Sequence, residues 1–170
     1  MSAFLFLQFN SHPDGSSYPL TYHLKKIIMD NIIQHTHSGI MWLAMAALIL
    51  SVLVSLIKFI KKEEIVSTNW FRLFHATKWL LYIQVILGVI LLFISQRVNY
   101  GEGFMKNDEL RFYGMEHPLM MLIAVGLIAI GLFRSKKKTS AIQKNKTIFI
   151  YYTIALIIMM LMIPWKAVLS

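Results

Sequence analysis

The sequence contains no cysteine, and only eight of its 170 residues are acidic, against 17 lysines and arginines. The lack of cysteine excludes disulfide bonds, thiolate metal sites, cysteine-ligated iron–sulfur clusters and covalent c-type haem attachment. No segment alternates apolar and polar residues with a period of two, which argues against membrane β-barrel strands. The basic residues behind the net charge of +9 lie mainly between the apolar runs, where membrane-topology signals belong. No nucleic-acid partner is therefore expected.

Apolar residues are abundant instead. They make up 57% of the chain, above the roughly one half found in soluble domains. They form four runs, at residues 38–57, 79–95, 118–133 and 147–165, each near the roughly 20 residues that span a bilayer core. In lipid, only helices make all the hydrogen bonds of their own backbone without closing into a barrel. The sequence therefore predicts an all-α, integral membrane four-helix bundle over residues 31–170.

The first 30 residues differ from the rest, because they are polar and hold no apolar run long enough to span a membrane. We expect them to form an N-terminal extension. Met29 is an alternative start, in which case residues 1–28 would lie outside the native chain. The sequence leaves both starts open.

The basic residues are concentrated around two of the three connections between apolar runs. The positive-inside rule places such connections in the cytoplasm. Both termini and the middle connection then face outward, which predicts a multi-pass protein of a bacterial inner membrane with periplasmic termini. The two basic clusters are Lys58, Lys61, Lys62, Arg72 and Lys78, and Arg134, Lys136, Lys137, Lys138, Lys144 and Lys146.

Two histidines stand where apolar runs begin. His37 precedes the first run and His117 the third. Because these two runs cross in the same direction, both imidazoles are expected at the outer face and at similar depth. This arrangement suits a bis-histidine haem, or a metal shared between helices. His75 lies at the opposite end of the second helix and cannot join them.

Small residues follow each histidine at heptad spacing and so share its helical face. They allow close helix approach or leave room for a flat ligand, and ordinary membrane-helix packing explains them equally well. On the second helix, Gln84 is deep enough to need a hydrogen-bond partner in the bundle. The small residues are Ala44 and Ser51 after His37, and Ala124 and Gly131 after His117.

Three motifs carry a family resemblance: HSGIMW at 37–42, RFYGMEHPLMM at 111–121 and IPW at 163–165. They resemble a family of small four-helix bacterial membrane proteins labelled cytochrome-b-like. The similarity covers roughly residues 30–166, and EHPLMM is its most specific part. The chain departs from that pattern at Met41, where the family commonly has arginine, and near Tyr82, where members often have a histidine.

The resemblance implies haem b and a role in electron transport. His37 and His117 would be its axial ligands. Arg97 or Arg111 would pair with the propionates, because guanidinium matches carboxylate geometry. Glu116 would hydrogen-bond a ligand imidazole or exchange protons with a quinol. The partners expected are the lipid bilayer, and quinone or other respiratory membrane proteins, and the chain would be an electron carrier rather than a stand-alone enzyme.

Other functions remain open from the sequence. The chain can be a cofactor-free structural or accessory subunit of a membrane complex, with His37, Glu116 and His117 as a polar cluster. Proton or metal-ion transport ranks last, because no carboxylate lies mid-membrane. Hydrolase chemistry is poorly supported, since Ser38 beside His37 has no orienting acid.

Overall fold

The computed structural model describes residues 20–64, 68–95 and 97–165. Within them lie five α-helices, and one π-helical turn (Phe112–Glu116, the π turn) joins the third to the fourth. Four helical segments are long and apolar enough to cross a membrane, with the third helix, the π turn and the fourth helix forming one of them. The predicted all-α class and the four candidate spans are confirmed. The helices are α1 (Leu20–Ile60), α2 (Thr68–Ile94), α3 (Asp108–Arg111), α4 (His117–Lys136) and α5 (Ala141–Met162).

The four spans pack as a ring in which α1 contacts α2 and α5, and α4 also contacts α2 and α5. Helices α1 and α4 are therefore diagonal partners. In a bundle whose helices alternate in direction, diagonal helices run parallel. This places the N-terminal parts of these two spans at the same end of the bundle.

The interior of the ring is filled by large apolar side chains, while other isoleucine and leucine side chains point outward and are exposed on every span. A helix that is apolar all round is typical of a lipid-facing span. The predicted small-residue faces do point inward: Ala44, Ser51, Ala124 and Gly131 are all buried. Fully buried large residues are Leu48, Phe74, Ile128, Ile148 and Tyr152.

Helix α1 is much longer than the predicted span of 38–57. Its 41 residues extend about 62 Å at 1.5 Å per residue, twice the roughly 30 Å of a bilayer core. The polar segment before His37 contains no proline within α1, so nothing stops the helix there. Residues 20–30, expected in a polar extension, are consequently its first turns, and residues 1–19 lie outside the described residues.

The predicted start of the third span, at Pro118, is wrong. The helix begins at Asp108, where the Asn107 side chain accepts hydrogen bonds from the backbone N–H groups of Glu109 and Leu110, both at 3.0 Å. The acidic residues Asp108 and Glu109 further stabilise this N-terminus. The span is 29 residues long, and Pro118 lies in its interior.

The bounds of the other two spans also differ from the prediction. Helix α2 starts at Thr68 rather than 79, and α5 covers Ala141–Met162 rather than 147–165. Helix α5 is shifted because Ser140, with extended backbone, precedes its first turn, and Pro164 cannot continue an α-helix. Both helices therefore extend into the polar connections that a hydropathy pattern excludes.

Candidate functional site

His37 and His117 line one cavity of about 210 Å³ at one end of the bundle. The cavity lies between α1, α2 and α4, and the end of α5 closes it from one side. His75 is not in its lining: it lies six residues along α2 from Leu81, the first lining residue on that helix, about 9 Å at 1.5 Å per residue. Most of the lining is apolar. Its polar side chains are Gln34, His37, Ser38, Gln84, Ser95, Arg97, Tyr113 and His117.

His117 is held by the end of α5. Its Nδ1 lies 2.7 Å from the carbonyl oxygen of Met162. Because a carbonyl oxygen only accepts hydrogen bonds, Nδ1 must carry the proton. Nε2 then keeps a lone pair that can bind a metal ion. The Met162 carbonyl is available because α5 stops there and Ile163 is already extended (φ −72°, ψ 128°). Pro164 therefore acts on His117 indirectly, by ending α5.

His37 is held by one face of α2. Gln84 Nε2 donates to the backbone carbonyl of His37 at 2.9 Å, which confirms the expected interhelical partner of Gln84. One turn later, a Cβ added at Gly88 would lie 3.5 Å from His37 Cε1, so the ring packs directly on the α2 backbone. His37 Nδ1 and Gln84 Oε1 are both buried without a hydrogen-bond partner among the described residues. Buried polar atoms of this kind call for an explanation, such as a bound group or a side-chain rearrangement.

Arg97 lines the cavity from the connection between α2 and α3. The Gln34 side-chain amide is oriented with its oxygen toward Arg97, because only then do both side chains form hydrogen bonds. This oxygen accepts from Arg97 Nη2 and Nη1 at 3.0 and 3.3 Å. The guanidinium also lies 5.7 Å from the ring centre of Tyr113. Within the described ranges, no carboxylate lies at ion-pair distance from Arg97. The Arg97 guanidinium is therefore held at the cavity with its charge uncompensated by these residues.

Arg111 and Glu116 lie outside the cavity lining and are engaged with each other. Arg111 Nε donates to Glu116 Oε1 at 2.6 Å, and Nη2 donates to Asp108 Oδ1 at 2.9 Å. A third bond joins Arg111 Nη1 to the Met105 carbonyl at 3.1 Å. Of the five site residues predicted from the sequence, the structure thus brings His37, His117 and Arg97 to one cavity and leaves Arg111 and Glu116 beside it.

Sequence reasoning missed three contributors to this site: Gln34, Tyr113 and the carbonyl of Met162. A backbone acceptor leaves no trace in residue type, but the IPW ending marks where α5 must stop and expose its last carbonyls. Gln34 lies three residues before His37 and one helical turn away, so it shares the histidine's side of α1.

The sequence matches no protein-family model, and no curated protein or solved structure matches it either.

Proposed function

We propose that the chain is a membrane-embedded, cytochrome-b-like electron carrier that binds haem b between His37 and His117. The observation that carries the proposal is that these two histidines, from parallel diagonal helices, line one mostly apolar cavity. Two histidines are too few for a protein-only zinc site, which takes three or four protein ligands, whereas a haem brings four nitrogens of its own. Among the described residues, no group of three histidine or acidic side chains forms an ion site.

The side chains around the cavity suit such a cofactor, which would supply one-electron redox chemistry. Met162 orients the His117 ring through its carbonyl, the usual way in which a ligating imidazole is fixed. The amide oxygen of Gln84 would be the matching acceptor for His37 Nδ1 in the loaded site, since both atoms are buried and without a partner in the described part of the chain. Arg97 would hold a propionate.

The size of the cavity sets a condition on this proposal. Its volume of about 210 Å³ is below the roughly 300 Å³ at which ligand pockets usually begin. A macrocycle therefore requires α2 and α4 to move apart. Their contact is the least extensive of the four between adjacent spans, so this is the side of the ring that opens at the smallest loss of packing.

The orientation of the bundle belongs to the same proposal. The two basic connections support a cytoplasmic position for the end opposite the histidines. His37 and His117 would then lie at the outer face of a bacterial inner membrane, within reach of a quinone or another respiratory membrane protein.

An absorption spectrum tests the proposal directly. The full-length protein, purified from membranes of cells supplied with haem precursor, should give the reduced-minus-oxidised spectrum of a low-spin, six-coordinate haem b. The haem-to-protein ratio should approach one. Correct membrane insertion with no haem, both as purified and after incubation with haemin, would contradict it.

Replacing Gln84 by leucine tests the α2 side of the site. The variant loses the donor to the His37 carbonyl and the acceptor proposed for His37 Nδ1 in the loaded site, so we expect haem affinity to fall about 10- to 100-fold, as for other partners of ligating histidines. Haemin titration of the purified protein measures this change. Gln143→Leu is the matched control, because Gln143 is exposed at the start of α5. Equal affinities of the two variants would remove Gln84 from the site.

A cofactor-free accessory subunit is the second candidate. The observation that favours it is a row of apolar side chains on the N-terminal part of α1, where Leu24, Ile28 and Ile32 are 50, 57 and 60% exposed. Residues four apart share one helical face, so this row is suited to a partner subunit. Stable assembly with a partner that survives replacement of both histidines would favour this function over haem binding.

A further inference from the structure

The π turn before His117 follows from a proline inside a helix. In an α-helix, the N–H of residue 118 would bond to the carbonyl of residue 114. Pro118 has no N–H, so the Gly114 carbonyl loses its helical donor. The helix adapts by widening: the N–H of His117 donates to the Phe112 carbonyl, five residues back. Such π-helical turns occur frequently at functional sites.

The connection between α2 and α3 supplies the missing donor. The Tyr100 hydroxyl donates to the Gly114 carbonyl at 3.2 Å. The ring of Phe104 packs beside Tyr100, with 5.0 Å between ring centres. Phe104 needs the glycine, because a Cβ at position 114 would lie 2.7 Å from its Cε2 atom. Tyr100 and Phe104 therefore clamp the π turn at the residue whose carbonyl Pro118 frees.

The π turn also sets the direction of the His117 side chain. Residues five apart are about 140° apart around an α-helix, but they align in a turn closed by i to i+5 bonds. Two pairs at this spacing are in contact: Phe112 and His117, with ring centres 5.8 Å apart, and Arg111 and Glu116, with 2.6 Å between Nε and Oε1. If the turn became α-helical, both contacts would be lost and His117 would rotate relative to α3.

We propose that Tyr100 is a positioning residue for His117, acting through the Gly114 carbonyl that Pro118 leaves without a donor. The assignment of His117 as a haem ligand rests on the proposed function. The effect of Tyr100 on the His117 ring does not, because that ring is already held against the Met162 carbonyl by the protein alone.

The first test uses full-length, haem-free protein in detergent micelles with isotope-labelled histidine. The Nδ1–H proton of His117 should exchange slowly with water because it is bonded to Met162. In Tyr100→Phe, which removes only the hydroxyl, exchange should become about 3- to 10-fold faster, the factor that one hydrogen bond typically contributes. Tyr151→Phe is the control, because it removes the hydroxyl that bonds Arg134 at the other end of the bundle. An unchanged rate in Tyr100→Phe overturns the proposal.

A double-mutant cycle with Pro118 tests whether the missing N–H of the proline is the reason that the Tyr100 hydroxyl affects His117. Pro118→Ala restores an N–H that can bond to the Gly114 carbonyl, so the hydroxyl of Tyr100 becomes redundant. We expect Pro118→Ala to shift the His117 signal by itself, and Tyr100→Phe to add no further change in that background. An equal effect of Tyr100→Phe in both backgrounds would overturn the link between Tyr100 and Pro118.

The haem-loaded protein gives the second readout. Tyr100→Phe should raise the haem dissociation constant by a similar factor of about 3 to 10 and shift the midpoint potential, since the orientation of a ligating histidine affects both. If wild type takes up no haem but the exchange result holds, the proposed function fails and the role of Tyr100 remains. If haem binds and Tyr100→Phe changes neither exchange nor affinity, the proposed function stands and the role of Tyr100 fails.

Discussion

Replacing either His37 or His117 by alanine should abolish the six-coordinate haem spectrum of the protein. Each variant keeps one ligand, and we expect its haem affinity to fall by more than the roughly 10- to 100-fold that follows loss of a histidine's hydrogen-bond partner. The haem content of protein purified from membranes measures the effect. Because both rings line the same cavity, the double variant should hold no haem at all.

His75→Ala is the matched control for these variants. His75 packs on Phe71, with 5.2 Å between ring centres, and lies outside the cavity lining. Its replacement should leave the haem content unchanged. All variants should reach the membrane in equal amounts, since replacing histidine by alanine does not make the spans that direct insertion less apolar. A double variant that retained full haem content would contradict the assignment of these two ligands.

His117→Met distinguishes ligation from packing at the same position. Methionine is a haem ligand that raises the potential relative to histidine. A retained six-coordinate spectrum at a higher midpoint potential is therefore expected if the side chain contacts the iron. A role limited to packing predicts no such shift.

The number of spans and the common end of the two histidines could be predicted from hydropathy and charge, because a membrane imposes both patterns along the chain. The helix ends could not be predicted in the same way. Hydropathy marks only the apolar centre of α1, whereas the helix also includes a polar segment that lacks a stop signal. For the third span, hydropathy marks a start at Pro118, although Asn107 and Asp108 carry the capping signal.

The candidate site shows where residue type stops being informative. Arg97 and Arg111 are equivalent from the sequence, but folding leaves Arg97 at the cavity and engages Arg111 with Glu116 and Asp108. The difference depends on the path of the connection between α2 and α3, which no periodicity describes. The acceptor for His117 is a backbone carbonyl, and only the position of Pro164 in the sequence hints at it.

Gly131→Ala should destabilise the bundle more than any other glycine-to-alanine change in α4. A Cβ at this position would lie 2.5 Å from the Cβ of Tyr151 and 3.0 Å from its Cγ. Rotation of the tyrosine side chain cannot move its Cβ, so α4 and α5 must separate. Overpacking of this kind typically lowers the free energy of unfolding by about 1–3 kcal/mol. Unfolding of the variant in mixed micelles measures this change.

Gly126→Ala is the control, because no atom beyond the surrounding helix backbone lies within 4 Å of a Cβ built at that position of the same helix. It should be neutral or slightly stabilising, since alanine favours helix over glycine. Separation of α4 from α5 has a second consequence, because these helices carry the two partners of the hydrogen bond between His117 and Met162. Gly131→Ala should therefore also speed exchange of the His117 Nδ1–H proton, about fourteen residues away along α4. Equal stability of the two glycine variants would show that the close approach at Gly131 is not what holds α4 against α5.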